Sequence, residues 1–297
     1  MKKQAGFDGK FPGLRKPNPE EPEVFRIAER EALREHADLM IATDPDSDRI
    51  GAGVICDSKA FFFTGNQIGA LLADFLSRQG SVKGKIMVTT VVTGDLGSRI
   101  VTSRGATVIH TLTGSKFVCE EMNHMEAGEF LLGYEESHGY IGGMHIRDKD
   151  GVLAAMLLCE TAAWHKTQGR TLLDALEDLY QEYGYYIDEQ DSFVFEGAKG
   201  AKEMQKIMAR LRSRRGSVFA PLGKPDKILD YEKGVDELPR SNVLKFFFPN
   251  GSWVAVRPSG TEPKIKFYYC IRGKDQRQAQ DLYEAVQTSV EEFLRTF

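Results

Sequence analysis

Val24, Ile27, Ala28, Ala32 and Leu33 recur at the three-and-four spacing of an amphipathic helix, surrounded by charged residues. Ala37–Ala42 then reads as a short buried strand. It runs into Thr43 and the acidic stretch Asp44-Pro45-Asp46-Ser47-Asp48-Arg49, and the apolar segment Ile50–Cys56 turns back from it. From Ala60 strands and helices alternate. Ala60–Thr64, Lys85–Thr93, Thr107–Leu112 and Glu129–Leu132 have strand character, with β-branched and aromatic residues prominent. Gly65–Gln79, Gly94–Arg104, a segment through Phe117 and Met122, Gly151–Lys166 and Thr171–Tyr183 are predicted as helices. This alternation predicts an α/β layer with helices packed over a sheet.

After Tyr186 the pattern changes, and a domain boundary is expected near residue 187. Asp191–Glu196 and Ile265–Ile271 read as strands, and Lys202–Arg214 as a basic helix with a solvated face. Asn242–Phe248 and Ser252–Arg257 form a predicted hairpin across Asn250-Gly251, the dipeptide suited to a type I′ turn. Asp275–Phe297 closes the chain as an amphipathic helix, which makes the last third a small α+β domain. The runs Phe61–Phe63 and Phe246–Phe248 are expected to be strand core. The first 22 residues, rich in Gly and Pro, carry no period and are expected to nucleate nothing.

Composition narrows the functions open to this fold. The 297 residues hold 39 Lys and Arg against 43 Asp and Glu, a formal net charge of -4, so no nucleic-acid or membrane footprint is expected. No apolar run is long enough to span a bilayer, and no signal-peptide block opens the chain. Cys56, Cys119, Cys159 and Cys270 form no CxxC pair, which argues against a zinc site or a disulfide framework. A cytoplasmic location is expected.

Three loops carry chemistry. Asp44, Asp46 and Asp48 stand at alternate positions, so their carboxylates can converge on one hard cation such as Mg²⁺, with Pro45 stiffening the backbone. An EF-hand is excluded, because Arg49 occupies the position that needs Gly and Ile55 the one that needs Glu. Gly133-Tyr134-Glu135-Glu136-Ser137-His138-Gly139 sets carboxylates beside a hydroxyl, a set that suits sugar hydroxyls and repels phosphate. Arg257-Pro258-Ser259-Gly260-Thr261-Glu262-Pro263 pairs a guanidinium with two hydroxyls and a glycine whose N–H can approach an anion closely.

In this order and spacing the loops resemble those of the α-D-phosphohexomutase family, which includes phosphoglucomutase and phosphomannomutase. Asp44–Arg49 resembles its metal loop, Glu135-Glu136-Ser137 its sugar loop and Arg257–Thr261 its phosphate loop. Thr113-Gly114-Ser115-Lys116 and Asp148-Lys149-Asp150-Gly151 resemble two further family segments. The likeness covers nearly the whole chain. It implies mixed α/β multidomain architecture: residues 1–58 as the end of a second domain, 59–186 as a third, and 187–297 as a TBP-like fourth.

The resemblance also implies an isomerase that moves a phosphoryl group between the 1 and 6 positions of a hexose through a phosphoserine and a bisphosphorylated intermediate. By it, Asp44, Asp46 and Asp48 hold Mg²⁺, and Glu135 and Ser137 grip the sugar. Arg257, Ser259, Gly260 and Thr261 hold the unreacting phosphate. Lys149 and Lys116 lie near the reacting oxygens, with Lys149 or His138 as general acid or base, and Arg49 counts among the catalytic residues. The Glu-Glu-Ser form of the sugar loop favours glucose 1- and 6-phosphate. The family's nucleophile loop has no counterpart, since the one Ser-His pair is Ser137-His138 within the sugar loop. The chain is therefore expected to be a C-terminal portion, inactive alone, with Leu39 and Ile41 left open to self-association. Two other readings remain at this stage: a Mg²⁺-dependent phosphatase with Asp44 as nucleophile, and a non-catalytic module that binds a phosphosugar. All three loops are expected to line a common cleft.

Overall fold

A computed structural model describes residues 4, 6, 8–126, 128–195, 197–260 and 262–297. The fold is mixed α/β and multidomain, in two compact units, Met1–Leu179 and Tyr180–Phe297.

The first unit opens with a single 3-10 turn, Pro22–Phe25, leading into α1 (Arg26–Glu35). These pack on an antiparallel sheet of β1 (Met40–Thr43), β2 (Ile50–Cys56) and β3 (Lys59–Phe63). Val24, Phe25, Ala32 and Met40 form its core, with the Phe25 and Phe62 rings 5.0 Å apart. The opening segment is thus docked rather than idle. A Cβ on Gly51 of β2 would meet Pro19 Cβ at 3.0 Å, so only glycine lets the segment lie this close to the sheet. Leu39 and Ile41, expected to be open, are half-buried, and β1 is the outer strand of its sheet among the described residues.

A second sheet in this unit has the order β5-β4-β6-β7, built from β4 (Ile86–Thr90), β5 (Thr107–Thr111), β6 (Phe130–Tyr134) and β7 (Tyr140–Ile141). β4 runs parallel to β5 and β6, while β7 returns antiparallel. The helices are α2 (Gly65–Arg78), α3 (Asp95–Ser103), α4 (Ser115–Met122), α5 (Gly151–Lys166) and, as far as Leu179, α6 (Leu172–Tyr183). Thr64 starts α2 with a reciprocal capping box to Gln67. Buried Asp74 on α2 pairs with Arg78 at 2.9 Å and with Arg104 just after α3, pinning the two helices together. β4 ends three residues before the predicted Thr93. Thr90 N–H bonds to the Thr93 hydroxyl at 3.2 Å, and this local side-chain bond replaces the ladder.

His165 on α5 is 4% exposed, and neither ring nitrogen has a hydrogen-bond partner among the described residues. Burial holds its pKa below the usual value; Asp74 and Asp178 oppose that shift while Arg170 and Arg78 reinforce it. The unfolded chain, with an ordinary histidine near pH 6.5, binds the proton more readily. His165 therefore makes the fold lose stability as pH drops below about 6.5 toward the folded value. Urea midpoints at pH 7.5 and 5.5 are expected to differ less in His165→Leu than in the wild type; equal differences would exclude this effect.

The second unit is a five-stranded antiparallel sheet in the order β8-β12-β11-β10-β9. Its strands are β8 (Tyr185–Val194), β9 (Lys227–Asp230), β10 (Leu244–Phe247), β11 (Trp253–Pro258) and β12 (Lys264–Gly273). Helices α7 (Gly197–Arg214) and α8 (Gln276–Leu294) cover one face, where Ile207, Leu211, Val286 and Val290 meet Phe246, Val254, Ile265 and Phe267. The other face carries cations on aromatic rings. Lys245 Nζ lies 3.7 Å from the Trp253 ring centre. The hairpin between β10 and β11 differs from prediction. Gly251 N–H bonds to Phe248 O at 2.9 Å, and Gly251 has φ of 85°, but Asn250 is not left-handed. Pro249, fixed near φ −65°, sits at the second position of an ordinary type I turn, and Gly251 follows as the left-handed residue.

Candidate active site

In the first unit, Asp44, Asp46 and Asp48 project from the loop between β1 and β2, each with a carboxylate oxygen within 4.8 Å of the others. The loop is tied at both ends. Asp44 accepts the Arg49 N–H at 3.1 Å, and Ser47 O accepts the Gly151 N–H at 2.9 Å. Ser47 lies at φ 59°, a left-handed conformation that turns the loop back on itself. Gly151 opens α5, and a Cβ there would meet Ser47 O at 2.6 Å, so the helix start sits against the loop.

Arg49 reaches Glu20 at 3.0 Å, Asp48 at 3.7 Å and Asp44 at 3.9 Å, and Lys149 Nζ pairs with Asp48. Two cations thus stand among four carboxylates, a local deficit that matches one divalent ion. Burial, and next the hydrogen bond shared with Asp48, push Asp44 up to about 6. For Asp48 burial acts upward too, but Lys149, Asp44 and Arg49 outweigh it and hold the carboxyl below its usual value. Such an all-oxygen, charge-deficient cluster fits a hard cation such as Mg²⁺.

The sugar-loop candidates are also in this unit. Glu135, 5% exposed, follows β6 and accepts the Gly114 N–H at 2.7 Å, which fastens the start of α4, with Ser115 and Lys116, to this loop. Glu136 accepts from the hydroxyls of Thr93 at 3.3 Å and Thr90 at 3.4 Å. Ser137 is half-buried at the turn between them and His138. His138 itself turns inward. At 6% exposure and φ 66°, its Nδ1 donates to Ile50 O at 2.9 Å, while its own carbonyl accepts the Ile50 N–H at 3.1 Å. Burial holds the ring's pKa below the usual histidine value. This geometry joins the sugar loop to β2 and suits His138 to holding the loop in place rather than meeting a substrate. Carboxylate loop, sugar loop and Lys149 are thereby stitched together by backbone and side-chain bonds.

The Arg257 loop belongs to the second unit. Ser259 N–H bonds to Lys264 O at 2.8 Å, and the Ser259 hydroxyl accepts the Glu262 N–H at 3.2 Å, which makes a compact turn between β11 and β12. Gly260 is exposed, and among the described residues beyond its chain neighbours nothing lies within 4 Å of a would-be Cβ. Thr261 lies outside the described residues. Arg257 stands directly opposite Lys266 on the neighbouring strand. Like charges in that register destabilise a sheet unless an anion offsets them. Lys266 and Glu20 escaped the sequence reading. The alternation of Lys264 and Lys266 along β12 was the available signal for the first, and Glu20 had none.

The family description "Phosphoglucomutase/phosphomannomutase, alpha/beta/alpha domain II" matches residues 1–56, domain III matches 64–183, and the C-terminal domain matches 193–288. The phosphoglucomutase of Staphylococcus haemolyticus is 35% identical over 298 residues, covering 95% of this chain and 54% of its own. The chain belongs to the phosphoglucomutase/phosphomannomutase family. The phosphoglucomutase of Staphylococcus epidermidis is 36% identical over 282 residues, covering 90% of this chain and 51% of its own. A solved structure, the phosphoglucomutase pp63/parafusin from Paramecium in its open form, shares the fold with a TM-score of 0.69 at 23% identity. It covers 92% of this chain and 49% of that one. The chain spans about half the length of the curated relatives it matches. No described helix is long and apolar enough to cross a membrane.

Proposed function

We propose that this chain supplies the cation, sugar and phosphate loops of a hexose phosphate mutase. The enzyme would move a phosphoryl group between the 1 and 6 positions, with glucose phosphates favoured, through a bisphosphorylated intermediate and a phosphoserine outside these 297 residues. The observation that carries this reading is the tight carboxylate cluster with Lys149 on Asp48, in a chain 35% identical to a phosphoglucomutase.

Asp44, Asp46 and Asp48 would hold Mg²⁺, which supplies Lewis-acid polarisation of a phosphoryl oxygen. Glu135, with one oxygen committed to Gly114, and the Ser137 hydroxyl would receive sugar O–H groups. Arg257, Ser259, Gly260 and Thr261 would grip the phosphate that stays put, joined by Lys266. Lys149 and Lys116 present ammonium groups to the reacting oxygens, and Lys149, held by Asp48, is the better placed to hand over a proton. Arg49 neutralises and spaces the carboxylates. Mg²⁺ and cytoplasmic location follow from this reading.

The test is conversion of glucose 1-phosphate to glucose 6-phosphate by the full-length protein with Mg²⁺. The 297-residue chain alone is expected to convert none. Release of inorganic phosphate, with phosphate trapped on Asp44, would replace the mutase reading by a phosphatase.

A further inference from the structure

Glu20 stands apart from the carboxylates that converge. Asp44, Asp46 and Asp48 form that group among the described residues, and Glu20 is not a member of it. It is nonetheless the residue that holds Arg49. Arg49 Nη1 donates to Glu20 Oε1 at 3.0 Å, an ordinary hydrogen-bond length. The guanidinium's approaches to Asp48 and Asp44 stop at 3.7 and 3.9 Å, beyond that length. The Arg49 and Glu20 side chains are 32% and 25% exposed, so water screens the pair only in part.

The opening segment fixes Glu20 in turn. Pro19 before it is buried and lies against Gly51 of β2, two residues after Arg49. Glu20 N–H donates to Asn18 Oδ1 at 3.1 Å and Glu21 N–H to Asn18 O at 3.0 Å, closing a turn that leads into Pro22–Phe25. Val24 and Phe25 anchor that stretch in the core beside α1. Backbone packing therefore delivers the Glu20 carboxylate to Arg49.

A guanidinium beside three carboxylates competes with any cation they bind. Its planar fork pairs two-pronged with a carboxylate and occupies the lone pairs that a hard ion needs. Lys149 already takes one oxygen of Asp48. We infer that Glu20 is a positioning residue for the cation loop: it draws Arg49 to one side, which keeps Asp44 and Asp48 clear of a guanidinium hydrogen bond and open to a divalent ion. This rests on the cation reading of Asp44, Asp46 and Asp48 proposed above. It adds that a segment outside the loop sets how tightly the ion is held.

The experiment is a calorimetric titration of the 297-residue chain with Mg²⁺, with melting temperatures read on the same samples. Glu20→Ala is expected to weaken Mg²⁺ by roughly tenfold, the scale of one charge-assisted hydrogen bond. In Arg49→Gln, where no guanidinium remains to be drawn aside, the same Glu20→Ala change is expected to alter the affinity by under about twofold. A purely structural role would lower the melting temperature and leave the Mg²⁺ affinity where it was. Should Arg49→Gln fail to fold, the Arg49 Nε–H resonance takes its place, and Glu20→Ala is expected to move that signal in the metal-free chain. Wild-type binding that Glu20→Ala leaves unchanged, an equal loss in both backgrounds, or an unmoved Arg49 signal would overturn the role of Glu20. Absence of saturable Mg²⁺ binding by the wild type would instead remove the cation reading of the aspartates, and this inference with it.

Discussion

Asp46→Asn is expected to leave the fold intact and to abolish Mg²⁺-dependent turnover of the full-length enzyme. Asp46 is exposed, whereas Asp44 and Asp48 also serve the Arg49 N–H and Lys149. Its loss therefore removes a ligand without dismantling the loop. Metal polarisation of a phosphoryl group supplies several kcal/mol of transition-state stabilisation. At about 1.4 kcal/mol per decade, losing roughly 4 kcal/mol lowers the rate about a thousandfold. Steady-state conversion of glucose 1-phosphate reads the loss, and calorimetric titration with Mg²⁺ reads the missing ion independently. A variant that keeps its rate and its Mg²⁺ affinity would remove these aspartates from the mechanism.

Gly65→Ala should be the most damaging single methyl in the first unit. The new Cβ would press into the carbonyl of Glu136 and meet His138 N at 2.9 Å, both backbone atoms that cannot swing aside. Gly65 also accepts the buried Tyr140 hydroxyl at 3.0 Å, so the start of α2 cannot retreat without breaking that bond. Overpacking of this kind costs about 3 kcal/mol, which in a unit of this size lowers the melting temperature by roughly 6–12 °C. Gly9→Ala, with open space around it, is the control and should change stability by under about 0.5 kcal/mol. Calorimetry of both variants decides it: equal melting temperatures would mean that α2 does not rest on the sugar loop as described.

How far the sequence carries can be seen in single elements. The limits of α5 are readable to the residue because Asp150 caps it at 2.9 Å on Leu153 N and its apolar positions fill a whole helix. β8 begins at Tyr185, six residues before its predicted start, because Asp188–Asp191 are polar on an outer strand whose ten-residue pairing with β12 holds it in place. β9, four residues long at the opposite edge, has too little pattern to register at all. The same division applies to the site. The run of aspartates around a proline was readable as a candidate cation loop, and the fold brings its three carboxylates within 4.8 Å of one another. Glu20 joins Arg49 from 29 residues away, and His138 joins Ile50 from 88, through contacts that only the folded chain creates. Thus the residues that present charge were legible, and those that steady it were not.

In the proposed mutase, the clamps on the aspartate loop bear on which ion it would prefer. Anchored at Asp44, Ser47 and Arg49, and folded back at Ser47, this short hairpin of carboxylates is a stiff cup with little freedom to widen. Calcium asks for six to eight oxygens at longer range in a compliant shell, while magnesium accepts fewer protein ligands at shorter range and keeps its own waters. For the cation proposed to sit there, such rigidity would favour the smaller ion, magnesium over calcium.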